Sequence, residues 1–400
     1  MNKRLRNVIS NSAVALAAIA FALVTGEITL RIFNLTGVFP TSPHRLLTQF
    51  DPLLGWSKIP GKIGRHITDE YSITEQINSR GMRGPEYNLN KSDDEFRVLV
   101  LGDSFAEGYT VEFNQLFSEI MKRKLNEHPD DRYEVINAGT GGYSTDQELL
   151  LFQNQGKLYW PDLTVLLFYY NDVWYNQSTS YWRGAKPMFA MNGTSLTLTN
   201  VPVPQPDTPA TSVLARLKSW VNRNSYLYVG IKQIGRSPSP HDTTLQGIGV
   251  TSEDDLDRIF RTEFSVFKRP YDARTAGAWR VTEALLAQLK RETALAGSRL
   301  VVFYVPPRFS IYTDEWATTV PDGALPGEVW RYEWPAVEMA AICARLGVAF
   351  IDPTARFTTA AEELAAQQYR LYFERDPHWN GRGHELVGQI LTEYVEGMAD

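Results

Sequence analysis

The hydrophobic and polar positions of this chain fall into three regimes, and the longest begins at residue 96. Residues 96–101, Phe-Arg-Val-Leu-Val-Leu, form a short apolar run stopped by Gly102, the pattern of a strand buried on both faces. Across 113–125, Leu116, Phe117, Ile120, Met121 and Leu125 recur at helical spacing. A second strand follows at 133–137, a second helix at 145–158 and a third strand at 163–168. After an interruption at about 175–270 the alternation resumes. An amphipathic helix over 278–296 closes at Gly297, and a fourth strand over 300–305 ends at Pro306-Pro307. A helix around 336–346 ends at Gly347, a short fifth strand covers 348–351, and a last helix runs over 382–396. Strands alternating with helices predict a parallel sheet with helices on both faces. Ligands of such sheets sit beyond the carboxyl ends of the strands, where the strand order reverses.

The other two regimes flank and interrupt this one. Lys3, Arg4 and Arg6 precede an uncharged stretch from Val8 to Val24, apolar throughout from Ala13, and charge returns at Glu27 and Arg31. A basic start followed by an apolar run is a signal sequence or a membrane anchor. Ala20-Phe21-Ala22 offers a cleavage site, but the apolar character continues to Phe33 without a polar linker, which favours a retained anchor over residues 1–33. Under either reading the positive-inside rule puts the remainder outside the cytoplasm. Residues 34–95 are rich in Gly, Pro and charge, and read as a membrane-proximal region of short strands and loops. Within the insertion, Asn192-Gly193 between two short apolar runs predicts a hairpin, and 237–252 is polar. Placed after the third strand, the insertion is positioned as a lid or substrate wall. Domain boundaries are therefore expected at 1–33, 34–95 and 96–400.

Composition narrows the function classes. With 43% hydrophobic and 22% charged residues, the chain is that of an ordinary globular protein. A net charge of −6 gives no electrostatic reason to expect nucleic acid as a partner. The single cysteine, Cys343, excludes an internal disulfide and lies in an apolar helical pattern, so it is expected to be buried packing.

Four short motifs fall at the carboxyl ends of predicted elements. Gly102-Asp103-Ser104 follows the first strand; it is either a capped strand-to-helix turn or a turn that exposes the Ser104 hydroxyl. The glycine-rich turn Asn137-Ala138-Gly139-Thr140-Gly141-Gly142-Tyr143-Ser144 follows the second strand and can bring a backbone N–H close to a reacting oxygen. Asn171-Asp172 follows the third, offering either an amide to an oxyanion or a helix cap. Asp376-Pro377-His378-Trp379-Asn380 precedes the last helix and suits a base oriented by a carboxylate. In an extended loop, residues two apart project to one side, which would let Asp376 reach His378. No His/Asp/Glu cluster has metal-ligand spacing, so neither metal nor cofactor is expected.

These blocks, in this order, resemble those of the SGNH/GDSL hydrolases over about residues 96–395. The resemblance implies a three-layer α/β/α, flavodoxin-like fold with a five-stranded parallel sheet. It further implies Ser104 as nucleophile, His378 as general base and Asp376 as its orienting acid, with an oxyanion hole made by the Ser104 and Gly142 N–H groups and the Asn171 side chain. The Gly-x-Ser-x-Gly elbow of α/β-hydrolases is absent. Two positions depart from the family pattern: Tyr169 stands where the third block has Gly, and the fourth block is one residue shorter than Asp-x-x-His. Asp-x-His-Trp is similar to membrane-associated SGNH-like proteins of alginate O-acetylation. That similarity implies an O-acyl ester on an exported carbohydrate, with transfer by way of a membrane acyl-donor partner as the alternative to hydrolysis. A carbohydrate-binding scaffold without catalysis is the reading from another class, and the complete Ser/His/Asp set opposes it. Tyr169, Tyr170, Trp174, Tyr175, Tyr181 and Trp182 crowd the third block, as sugar-stacking platforms or as lid packing.

Overall fold

The computed structural model describes residues 3–32, 47–205 except 129, 131, 182 and 194, 262–319 and 327–398, with isolated positions between 217 and 228. The polar stretch 237–252 and Trp182 lie outside the described residues. Five strands form the central sheet: β1 (Phe96–Leu101), β2 (Tyr133–Asn137), β3 (Leu163–Phe168), β4 (Arg299–Tyr304) and β5 (Ala349–Ile351). Their spatial order is β2-β1-β3-β4-β5 and every pairing is parallel. Each strand lies within one residue of its expected place, because the runs are predominantly apolar: Val98 to Leu101 and Val165 to Phe168 are fully enclosed.

The helices that matter to the site are α1 (Lys3–Ile32), α2 (Ser104–Glu107), α3 (Phe117–Leu125), α4 (Thr145–Asn154), α5 (Asp172–Tyr175), α6 (Ala273–Leu295), α7 (Trp334–Leu346), α8 (Thr354–Ala365) and α9 (Gly381–Glu396). The connections β1→β2 and β2→β3 cross the sheet in opposite directions, so right-handed crossovers put α3 and α4 on opposite faces. α9 packs against α3, and α6 against α4, which gives the three-layer arrangement expected of the sequence. Asp272 caps α6 by accepting the Thr275 N–H, and the helix buries Trp279, Leu285, Leu286 and Leu289. Asn380 caps α9, which buries Val387, Leu391 and Val395, each contributing roughly 1.5–3 kcal/mol.

Departures from the expected elements have local causes. The 113–125 segment divides at Leu116, whose extended backbone separates a 3₁₀ turn (Phe113–Gln115) from α3. The 145–158 segment also divides, at Gln155, whose backbone is neither helical nor extended, into α4 and a 3₁₀ turn over Gly156–Tyr159. Helix α8 was not predicted; it buries only Phe357 and Ala361, too few apolar positions to show a helical period. Cys343 is fully buried on α7.

Residues 47–95 form short antiparallel pairs, Thr48–Asp51 with Gly55–Lys58 and Ile63–Ile67 with Ser72–Gln76. The expected hairpin is present as Met188–Asn192 with Ser195–Thr199, but Asn192 pairs with Ser195 and ends its strand, so the turn begins at Gly193, one residue later than expected. In α1, residues Asn11–Leu30 are 20 in number, about 30 Å of helix, long and apolar enough to cross a bilayer or to serve as a signal sequence. Val14, Ile19, Phe21 and Val24 along it are exposed.

Candidate active site

The strand order reverses between β1 and β3, and the four motifs gather there. Gly102 leaves β1 with φ +152°, and a Cβ at this position would lie 2.8 Å from the Ala106 Cβ and 3.0 Å from the Leu167 Cβ. Only glycine makes this turn, which delivers Ser104 as the first residue of α2. Asp103 caps α2, its Oδ1 accepting the Phe105 N–H at 2.8 Å. Burial pushes the Asp103 carboxyl up to about 6 despite that hydrogen bond.

Ser104 Oγ lies 2.7 Å from His378 Nε2, and His378 Nδ1 lies 2.6 Å from Asp376 Oδ1. A carboxylate can only accept, so Nδ1 carries the proton and Nε2 is free to accept from the serine hydroxyl. The imidazole is seated between rings, with centroids 4.5 Å from Phe105 and 5.0 Å from Tyr109. Burial favours the neutral form of Asp376, but the His378 charge, the hydrogen bonds from His378 and that from Tyr71 outweigh it and hold the carboxyl at about 2.

The loop that carries the pair is not extended, contrary to the sequence expectation. Residues 374–378 bend, and the Phe373 N–H donates to the His378 carbonyl at 3.1 Å. One oxygen, Asp376 Oδ1, accepts both the His378 backbone N–H at 3.0 Å and Nδ1. An Asx-type turn thus achieves the short spacing.

Several groups around this loop were not legible in the motifs. Tyr71 Oη donates to Asp376 Oδ2 at 2.9 Å, and Tyr109 Oη lies 3.4 Å from the same oxygen and 3.2 Å from His378 Nδ1. Glu70 Oε1 accepts the N–H groups of Glu374 and Arg375, at 2.8 and 3.0 Å, and its Oε2 accepts that of Asp376 at 2.9 Å. From the other side, buried Arg308 donates to the carbonyls of Phe373, Glu374 and Asp376. The only sequence signal for Arg308 was its place just beyond β4.

The remaining motifs lie just beyond the carboxyl ends of β2 and β3. Thr140 N–H donates to the Gly102 carbonyl at 2.9 Å, tying the glycine-rich turn to the Ser104 turn. Gly142 takes φ +76°, and neither its N–H nor that of Ser104 has an acceptor among the described residues. Beneath them, Lys58 Nζ donates to the Gly139 carbonyl at 2.9 Å and lies within 3.5 Å of Glu75 and 3.4 Å of Glu107. Asn171 stands at the N-cap position of α5 with no side-chain capping bond to the helix, and its amide donates to Tyr181 Oη at 3.4 Å. Tyr169, in place of the family's glycine, packs against Phe105 with centroids 4.8 Å apart. Tyr169, Tyr170, Trp174 and Tyr175 are buried packing, and Tyr181 is half-buried. Among the described residues, no group of three or more His, Cys, Asp or Glu side chains is arranged to hold a metal ion.

The model of the GDSL-like lipase/acylhydrolase family matches residues 100–386. The chain belongs to that family. It is an ester-bond hydrolase on an SGNH fold. No curated protein matches the chain. Among solved structures, a catalytic mutant of the acetylxylan esterase Axe2 from Geobacillus stearothermophilus is similar at 14% identity, over 75% of this chain and 94% of that one, with a TM-score of 0.37. A lipase/acylhydrolase from Enterococcus faecalis is similar at 12% identity, over 76% and 96% of the two chains, with a TM-score of 0.38. Likeness at this level bears on neither substrate nor residue roles.

Proposed function

We propose that the enzyme cleaves O-acyl esters through an acyl-enzyme on Ser104. The observation that carries this reading is the unbroken chain from Asp376 Oδ1 through both ring nitrogens of His378 to Ser104 Oγ. Ser104 Oγ attacks the ester carbonyl while His378 Nε2 takes its proton. The carbonyl oxygen becomes an oxyanion, held by the N–H groups of Ser104 and Gly142 and the Asn171 amide. Collapse expels the alcohol, which receives the proton from His378. Water, deprotonated by His378, then attacks the acyl carbonyl and releases the acid and Ser104. Asp376 holds the imidazole in the required tautomer throughout and stays ionised.

The similarity of Asp376-Pro377-His378-Trp379 to alginate O-acetylation proteins supports an O-acyl group on an exported carbohydrate as substrate. The length and apolar exposure of α1, with Lys3, Arg4 and Arg6 at its start, support a single-pass anchor with the catalytic part outside the cytoplasm. An acceptor hydroxyl in place of water at the second step would make the same machinery an O-acyltransferase, served by a membrane partner that supplies acyl groups.

The test is acyl-enzyme trapping. Rapid quench of the enzyme with an acetylated oligosaccharide should leave the acetyl mass on the peptide containing Ser104, and His378→Ala should suppress it. Acylation of a different residue would overturn the assignment. A sugar acceptor that emerges acylated would assign transfer.

A further inference from the structure

The loop that carries Asp376 makes contacts that the SGNH blocks do not explain, and they come from a turn some 300 residues earlier in the chain. That turn, 68–71, joins the strands Ile63–Ile67 and Ser72–Gln76, and lies outside the residues matched by the family. The geometry points to Glu70 and Tyr71 as positioning residues for the catalytic acid, so that the membrane-proximal segment 47–95 completes the active site. This inference rests on the Ser104–His378–Asp376 reading above.

Consider first the backbone. Residues 374–376 belong to no sheet ladder, so their N–H groups need acceptors from elsewhere. Three successive N–H groups pointing the same way form a small anion-binding concavity, a nest. Here the anion is supplied by the chain itself: both oxygens of Glu70 are used, two N–H groups on one and the Asp376 N–H on the other. On the opposite side, Arg308 Nη1 takes the carbonyls of Phe373, Glu374 and Asp376 at 3.2, 2.9 and 3.4 Å. An anion on the N–H side and a cation on the carbonyl side fix the peptide planes on which the Asp376 side chain stands. Charge-assisted hydrogen bonds of this kind are roughly twice as strong as neutral ones.

The side chain is held as tightly. Asp376 Oδ1 is committed to His378, through its N–H and its Nδ1, so its rotation is governed by what Oδ2 binds. Oδ2 receives Tyr71 Oη at 2.9 Å, with Tyr109 at 3.4 Å as a longer second donor. Burial and the adjacent carboxylate raise the Tyr71 hydroxyl, which keeps it a donor. The Tyr71 ring is seated in turn against Phe373, with centroids 5.1 Å apart, and edge-on to Tyr109. The same turn therefore fixes both the backbone and the carboxylate of the residue that orients the base. Asp69 and Arg375 pair beside it at the surface, where exposed ion pairs contribute little.

Substituting this turn in the full-length enzyme tests the inference. Glu70→Gln replaces one acceptor oxygen by an N–H₂ group that faces a backbone N–H, and Tyr71→Phe removes a single oxygen. For each variant, the number of active sites is titrated with a fluorophosphonate, and kcat per active site and KM are measured on a chromogenic ester. The expected result is a fall in kcat per site on the order of tenfold or more for Glu70→Gln and several-fold for Tyr71→Phe, with KM within about twofold and the site count unchanged. Asp69→Asn should match the parent. A purely structural role predicts fewer titratable sites with normal kcat at each, and that outcome, or kcat within twofold in both variants, overturns the inference. If Glu70→Gln fails to fold, Tyr71→Phe decides alone. Ser104→Ala, run in parallel, separates the two levels: turnover that survives there sinks the triad reading, whereas its loss together with a normal Tyr71→Phe sinks only the positioning role.

Discussion

Replacing Asp376 by Asn is the perturbation that the structure defines most fully. One carboxylate oxygen accepts two N–H groups of His378 and the other accepts Tyr71. Burial opposes ionisation, yet the His378 charge and these hydrogen bonds hold the group at about 2 against an ordinary value of 3.8. A difference of nearly two units is about 2 kcal/mol in favour of the charged carboxylate in the folded site. The Asn amide carries no charge. It can also turn its N–H₂ toward Nδ1, which leaves the proton on Nε2 and removes the base that Ser104 needs. Together these effects predict a fall in kcat of about 10² to 10⁴ with KM little changed, measured on a chromogenic short-chain ester. The same group sets a stability signature. A folded-state value below the unfolded one gives stability that is present above about pH 4 and lost as pH falls toward 2, so the parent should lose about 2 kcal/mol over that window and the Asn variant should not. Turnover within tenfold of the parent would refute the orienting role and leave a Ser–His dyad.

Other consequences follow from particular contacts. Gly102→Ala meets Ala106 and Leu167 at 3.0 Å or less in a backbone conformation that disfavours a side chain, and should cost about 1–3 kcal/mol by chemical denaturation. Buried Arg83 donates to the carbonyls of Glu107, Gly108 and Val111 at the end of α2 and just beyond it, so Arg83→Met should lower stability by about 1–3 kcal/mol, read by chemical denaturation. The Glu148 carboxyl is enclosed without a hydrogen-bond partner among the described residues, and burial followed by the charges of Asp103 and Asp146 raises it. The fold then keeps a proton that the unfolded chain has lost, so stability falls as pH rises above about 4. Glu148→Gln should melt higher than the parent at pH 8 and converge with it near pH 4. A reporter active only outside the cytoplasm, fused after Asp400, should give signal in the membrane fraction; a soluble mature protein starting at Leu23 would make α1 a cleaved signal sequence.

Sequence alone located the sheet well and the surroundings of its site poorly, for a physical reason. Strands enclosed on both faces are predominantly apolar, and Val98 to Leu101, Val135-Ile136 and Val165 to Phe168 carry that mark. Ser104 and Asn171 were visible because each follows a strand that was itself legible, and His378 because it stands just before a legible last helix. Lys58, His66, Glu75 and Arg83 lie in a stretch that reads as short strands and loops rich in charge, with no buried cluster indicated, yet all four are buried. Burial pushes His66 down to about 3, which leaves it neutral against Glu75. Tyr71 and Glu70 meet Asp376 across some 305 positions, and no local periodicity encodes such a contact. The bent form of the Asp376–His378 loop was missed for the same reason, since it is imposed by Glu70 and Arg308 from outside.

The central claim is that Ser104 is an activated nucleophile. Treating the intact enzyme with a fluorophosphonate and mapping the modified peptide by mass spectrometry tests it directly. The account predicts one phosphonylated residue, Ser104, with labelling abolished in Ser104→Ala and slowed by orders of magnitude in His378→Ala. Labelling that persists in Ser104→Ala, or a parent enzyme that turns over esters without labelling, would contradict it.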